Sequence, residues 1–258
     1  MIDVHWHNIQ NFGDQIAPTL LSEIGAKFTH EPDAKSADAL ICGSLIQKLD
    51  ASYTGALIGA GIIADVSCVL PNANVKCVRG PFTARNIGHP DASVGDPGLL
   101  CPIFIDERPP IKHSLGVVPH YVDVSHPVIE NLSDNTHVID VRKAPEKVVR
   151  EVAACKRVVS SSLHGMIAAD ALGVPATWTV ISGDVVGNGF KFRDYDASVG
   201  GNRERPVPAR DIERVEIDDT PPGVEETSYS IANKIDQWIA TGDSERSLSE
   251  RLKQARSR

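Results

Sequence analysis

The run Ser160-Ser161-Ser162-Leu163-His164-Gly165 places three hydroxyls and an imidazole between the apolar pair Val158-Val159 and an apolar segment that starts at Met166. Serine hydroxyls and free backbone N–H groups can receive phosphate oxygens, and an imidazole can transfer a proton or bind an oxyanion. A lone histidine is more often structural, but one set between a serine run and a helix start favours function. A second segment, Val78-Arg79-Gly80-Pro81, ends a strand in an arginine, turns at glycine and offers proline for the first helical position. A guanidinium beside the positive end of a helix suits a carboxylate or phosphate. In a third, Asn11-Phe12-Gly13-Asp14, the glycine permits a tight turn or close ligand approach and Asp14 could cap a helix. A fourth, Lys191-Phe192-Arg193-Asp194-Tyr195 running on to Val199-Gly200-Gly201, reads as a loop whose two cations could close over an anion. An ordinary exposed charged loop fits it equally well.

These segments need a scaffold that brings strand ends together. Short apolar runs at 2–6, 39–42, 56–59, 75–78, 115–118, 137–141, 157–160 and 176–181 read as strands. Helical stretches are predicted at 15–24, 81–87, 145–155 and 163–172, with another at 227–239 that could fold back over the first half. Continuous apolar strands alternating with helices predict an α/β protein with parallel sheets. In such sheets ligands sit at the carboxyl ends of the strands, where all four segments fall. The proline-rich stretch 101–114 reads as a linker between an N-terminal unit, 1–104, and a C-terminal unit, 112–240, with a polar tail at 241–258.

Composition narrows the function classes. With 41% hydrophobic and 23% charged residues the 258-residue chain is globular, and its net charge of -8 disfavours a nucleic-acid partner. Five widely spaced cysteines without a CxxC pair argue against a disulfide framework or structural zinc and for a reducing compartment. The N-terminus lacks a signal-peptide pattern and no apolar stretch reaches the ~20 residues needed to span a bilayer. The expectation is a cytoplasmic protein without a transmembrane segment, with peripheral membrane contact by the basic tail left open.

The segments NFGDQ, ICGS, IGAGI, VRGPFTA, VGDPGLL, GVVPHYVD, SSSLHGMIAADALGVP and KFRDYDASVG follow one another between Asn11 and Gly200. This ordered set resembles the polysaccharide pyruvyl transferase family, especially the branch acting on bacterial exopolysaccharides. The resemblance implies two Rossmann-like parallel-sheet domains in a glycosyltransferase-B-like arrangement, with the active site between them. It implies phosphoenolpyruvate as donor co-substrate, no further cofactor, and a sugar diol as acceptor, lipid-linked or not. Arg79 and the turn Ser160, Ser161, Ser162, Leu163, His164 and Gly165 would hold the donor. Many relatives carry a basic residue just before the Leu-His pair, where this chain has Ser162. A donor-binding cation would then come from elsewhere, with Lys191 and Arg193 as candidates, or the donor's affinity or identity has changed.

Forming a ketal needs a proton for the enol carbon and a base for the sugar hydroxyls. His164 is the first choice for donor contact and proton transfer, with Asp14 and His120 as candidates for acceptor binding or base work, beside Asn11. His164→Ala or Arg79→Ala is expected to nearly abolish turnover and leave the fold intact. No residue set demands a metal.

Rival readings draw on other motifs. Gly59-Ala60-Gly61-Ile62-Ile63-Ala64 fits the dinucleotide fingerprint of an NADP-dependent oxidoreductase, but it follows two earlier βα units and Pro71 leaves little room for the helix. His5-Trp6-His7 fits the HxH of metal-dependent hydrolases, although structural or substrate-contacting histidines explain it more simply. A serine hydrolase lacks its G-x-S-x-G elbow. A glycosyltransferase with a nucleotide-sugar donor and a non-catalytic carbohydrate-binding relative stay as alternatives.

Overall fold

The computed structural model describes residues 1–217, 219–239 and 247–257. Ten strands form two five-stranded, wholly parallel sheets. The first contains β1 (Ile2–His5), β2 (Phe28–His30), β3 (Ala39–Ile41), β4 (Ala56–Ile58) and β5 (Asn74–Cys77), in the order β2-β1-β3-β4-β5. The second contains β6 (Leu115–Val118), β7 (Thr136–Val138), β8 (Val158–Ser160), β9 (Ala176–Val180) and β10 (Val207–Pro208), in the order β10-β9-β8-β6-β7. Numbered within its own unit and read from its other edge, the second order repeats the first. The chain therefore builds the same doubly wound, Rossmann-like layout twice, and each copy reverses direction next to its first strand. The central strands Ala39–Ile41 and Ala56–Ile58 are buried at every position, as expected of sheets covered on both faces.

Eight α-helices accompany these strands among the described residues: α1 (Phe12–Glu23), α2 (Pro81–Asn86), α3 (Pro127–Glu130), α4 (Pro145–Ala153), α5 (Leu163–Ala171), α6 (Phe190–Ser198), α7 (Val224–Ile239) and α8 (Leu248–Arg256). Each of the predicted strands and helices corresponds to one of these elements. The edge strands β2 and β10 are too short, at three and two residues, to leave a pattern.

The stretch taken for a loop at 191–195 is instead the core of α6. Gly189 starts this helix in the left-handed region, with φ 73°, and six of its nine residues are buried, Lys191, Asp194 and Asp196 among them. Charges that pair inside the protein erase the polar face by which an amphipathic helix is read.

Part of the expected linker is also core. A 3-10 helix, Pro97–Phe104, buries Leu99, Leu100 and Cys101 completely and packs against α1, α5, α7 and α8. One apolar cluster runs through it, from Val4, Ile16 and Leu20 of the first unit to Val148, Met166 and Ile167 of the second. The chain then returns to its start, with α7 packed on β4 and β5. Residues 241–246 and 258 of the polar stretch, and positions 218 and 240, lie outside the described residues. Within that stretch α8 is fixed by a Ser247/Glu250 capping box and buries Leu248 and Leu252 in the shared core. No helix of the described residues is long and apolar enough to cross a membrane.

Candidate functional site

In an open parallel sheet the crevice forms where neighbouring connections leave in opposite directions. In the first unit that point lies between β1 and β3, and in the second between β6 and β8. The residues following all four strand ends meet in one cavity of about 170 Å³. His7, Asn11 and Asp14 come from the β1 side and Gly43 and Ser44 follow β3. His120 to Val122 follow β6, and Ser162, Leu163 and His164 follow β8. Lys191 enters from α6. Larger concavities exist, one of about 550 Å³ beside Lys112 and one of about 520 Å³ beside Trp178, but neither gathers so many titratable groups from both units.

His164 lies in the first turn of α5, whose N-cap Ser162 makes no side-chain capping bond, so the helix start faces the cavity without a side-chain acceptor. The residue is 9% exposed and its imidazole crosses into the first unit. Its Nε2 is 3.2 Å from Cys42 Sγ and 3.7 Å from Asp96 Oδ2. Two glycines make room for it. A Cβ on Gly13 would lie 2.2 Å from His164 Nδ1, and one on Gly98 would lie 3.3 Å from Cδ2. Cys42, at φ 67°, holds a left-handed conformation that side chains other than those of Gly, Asn and Asp rarely adopt. The donor atoms of Cys42, Asp96 and His164 all lie within 4.8 Å of one another, the one group among the described residues close enough to hold a metal ion.

Lys191 is the only lysine or arginine lining the cavity among the described residues. Burial, followed by the Arg79 charge, lowers its ammonium to a pKa of about 8. Burial, followed by the Lys191 charge, also depresses His120 to about 4, so this imidazole is neutral at neutral pH. Two buried ion networks fix α6 and hence Lys191. Asp194 accepts from Arg79 Nε at 3.0 Å and from the Thr83 amide and hydroxyl at 2.9 and 2.6 Å. Arg203 grips Asp170 of α5 through both terminal nitrogens, at 2.9 and 2.8 Å, and Asp196 through Nε at 2.6 Å.

Arg79 thus stands beside the start of α2, as the sequence reading put it, but the carboxylate it meets there is Asp194 of the same chain. Its side chain is fully buried, and besides Asp194 it donates to Ser44 Oγ at 2.9 Å and to Ile62 O. A buried guanidinium must satisfy its N–H groups, and here protein acceptors do so, one layer behind Ser44 at the cavity wall. Gly61 and Gly80 make space for this arrangement: a Cβ on Gly61 would meet the Arg79 Cζ at 2.3 Å and one on Gly80 the Asp194 carbonyl oxygen at 1.9 Å. The fingerprint-like run 59–64 thus packs around Arg79 and Pro97 and is not followed by a helix.

The serine run divides. Ser160 Oγ lies 2.9 Å from Val118 O and 2.7 Å from Ser162 O, which ties the turn together. Ser161 Oγ accepts from the His120 amide at 2.8 Å and donates to Asp123 at 2.9 Å, setting the loop that carries His120. Only Ser162 of the three lines this cavity. Gly165 packs against Ser160 Oγ and Val118, where a Cβ would approach to 2.5 Å. Arg193, two residues from Lys191, points to the neighbouring concavity beside Trp178 and Phe192.

Asn11 Nδ2 donates to Asp14 Oδ2 at 2.7 Å, and Asn11 Oδ1 is buried with no hydrogen-bond partner. The HxH pair also separates. His5 is buried with Nδ1 2.8 Å from Glu31 O, whereas His7 lines the cavity 3.6 Å from Asp14. Asp96 and Cys42 entered the sequence reading only within the segments VGDPGLL and ICGS, with no role assigned. Asp96 stands before Pro97 as a helix cap, a local signal that says nothing about a histidine 68 positions later in the chain.

The polysaccharide pyruvyl transferase family profile matches residues 5–182, which stops short of α6. The succinoglycan biosynthesis protein ExoV of Rhizobium meliloti (strain 1021) is 32% identical over 207 residues, 78% of this chain and 60% of that protein. The uncharacterized protein L143 of Acanthamoeba polyphaga mimivirus is 30% identical over 163 residues, 58% of this chain and 56% of that protein. The chain thus spans less than two thirds of the length of either relative. No solved structure matches it. With the profile covering more than half of its length, the chain belongs to the polysaccharide pyruvyl transferase family.

Proposed function

We propose that this chain moves the enolpyruvyl carbons of phosphoenolpyruvate onto two hydroxyls of a sugar, forming a pyruvate ketal and releasing inorganic phosphate. The observation that carries the reading is the convergence of Lys191, the uncapped start of α5 and His164 on one cavity at the meeting of both switch points. A small dianion needs a cation and several N–H donors at close range, and this is the wall that supplies them. Lys191 takes the part that the family's basic residue would play at Ser162. A relative named for succinoglycan biosynthesis supports a precursor of an extracellular polysaccharide as the acceptor.

The chemistry follows from the donor's atoms. His164 delivers a proton to the methylene carbon, which leaves C2 electron-poor. One sugar hydroxyl adds to C2 and loses its proton, phosphate departs with the C2–O bond electrons, and the second hydroxyl closes the ring with loss of its own proton. Asp14 and the neutral His120 take those protons, and the unpartnered Asn11 Oδ1 accepts from an acceptor hydroxyl. No resident cofactor enters the scheme.

Two measurements test it. Phosphoenolpyruvate at about 100 times its dissociation constant should stabilise the chain by about 2.7 kcal/mol in thermal unfolding. A nucleotide sugar should have no such effect, and phosphate should be released once a diol acceptor is supplied. Stabilisation by the nucleotide sugar alone would replace this reading with a glycosyltransferase.

A further inference from the structure

We infer that Asp96 is a positioning residue for His164, holding the ring by Nε2–H so that Nδ1 is the nitrogen presented to the substrate. The inference rests on the reading of His164 as the proton donor, but its geometry stands apart from the choice of substrate.

Asp96 is completely buried and belongs to the first unit, whereas His164 belongs to the second. Its two oxygens have different surroundings. Oδ1 accepts from the Gly98 amide at 2.8 Å, which caps the 3-10 helix Pro97–Phe104. Oδ2 has no hydrogen-bond partner and lies 3.7 Å from His164 Nε2. An unpaired carboxylate oxygen in a protein interior is costly, and the nearby imidazole N–H is the donor that relieves it once the contact tightens. Burial opposes the charge on Asp96, yet His164, the Gly98 amide and Arg79 hold its carboxyl below the usual value. The remaining neighbour is Cys42, 3.2 Å from Nε2 and 3.5 Å from Asp96 Oδ1. Burial pushes its thiol well up, so it stays protonated and donates to Oδ1 rather than competing as a thiolate. Nδ1 makes no protein hydrogen bond among the described residues and lies beside Gly13, whose missing side chain leaves it room, in a ring that lines the cavity.

A carboxylate on one ring nitrogen sets the tautomer and stabilises the imidazolium, and replacing it by an amide leaves the ring in the wrong state for proton transfer. Asp96→Asn is the informative variant, because its amide oxygen can keep the Gly98 cap and only the Oδ2 charge is lost. The expected result is a fall in kcat of about 100-fold or more with KM for phosphoenolpyruvate changed less than about threefold. The titratable groups facing the ring and its cavity are Cys42, Asp96, His7, Asp14, His120, Tyr121, Asp184 and Lys191. Cys42→Ala should lose clearly less kcat than Asp96→Asn.

A second readout needs neither turnover nor a folded variant: ¹⁵N NMR of the neutral wild-type His164 ring should show Nε2–H. A neutral ring protonated on Nδ1, or a Cys42→Ala variant that loses as much as Asp96→Asn, would overturn the assignment. So would a stoichiometric zinc ion that co-purifies and is lost from both variants, because Asp96 would then be a metal ligand. Failure of phosphoenolpyruvate to bind would sink the proposed function and leave the ring assignment to NMR.

Discussion

At the scale of single residues, the cavity depends on a lysine held where a lysine is least comfortable. Lys191 titrates near 8 against an ordinary 10.5, so the folded chain holds that proton less tightly than the unfolded one. Burying the charge therefore costs stability at all pH values below about 8, and the cost is relieved as pH rises from there towards the ordinary lysine range. Lys191→Met should raise the melting temperature at pH 7 by the equivalent of about 1–3 kcal/mol, a gain that shrinks towards pH 10. The same change should weaken donor binding at least about tenfold in calorimetric titration, since the one lysine or arginine lining the cavity among the described residues is gone. In the wild type, donor affinity should fall as pH passes 8. A variant that loses stability but binds normally would show that Lys191 only fills space.

At the scale of elements, α6 is positioned by buried charges as well as by Phe190, Phe192 and Tyr195 in the core. Asp194 does for α2 what a capping side chain would do, accepting from the Thr83 amide while it pairs with Arg79. Breaking a buried pair strands a charge, so Arg79→Met should cost about 3–5 kcal/mol, seen as a drop in melting temperature of roughly 10 °C. The double variant Arg79→Met with Asp194→Leu should recover part of that loss because neither charge remains. This replaces the expectation that Arg79 can be removed with the fold intact. A single variant with unchanged melting temperature and lost donor binding would restore the original reading of Arg79 as a ligand group.

At the scale of the molecule, the two units are not separate bodies. The 3-10 helix Pro97–Phe104 packs on α1, α5, α7 and α8, and one apolar cluster passes from β1 to α5. A shared core gives shared cooperativity, so calorimetric unfolding should show one transition whose van't Hoff and calorimetric enthalpies agree. Two resolved transitions would mean that the docking across Asp96 and His164 is weaker than either unit. The same contact explains why the site cannot belong to one half: Gly13, Cys42 and Asp96 shape the space that the imidazole of the other half enters.

The sequence by itself determined the alternation of elements, because continuous apolar strands and helix starts at Pro81, Pro145 and Leu163 are local properties of the chain. It also marked the turn at Ser162 to His164 and the strand-end segments around Asn11 and His120, since hydroxyls, glycines and imidazoles at strand ends stand out against an apolar background. It misplaced what depends on distant pairing. Arg79 at a strand end looks the same whether it faces a ligand or Asp194, 115 residues away, and α6 looks like a polar loop because its charges are neutralised by partners outside it. Only the tertiary structure decided that Lys191 faces the cavity while Arg193 turns away, that Asp96 meets His164, and that two copies of one strand order bring their crevices together. Each of these is a long-range contact, and long-range contacts leave no period in the local sequence.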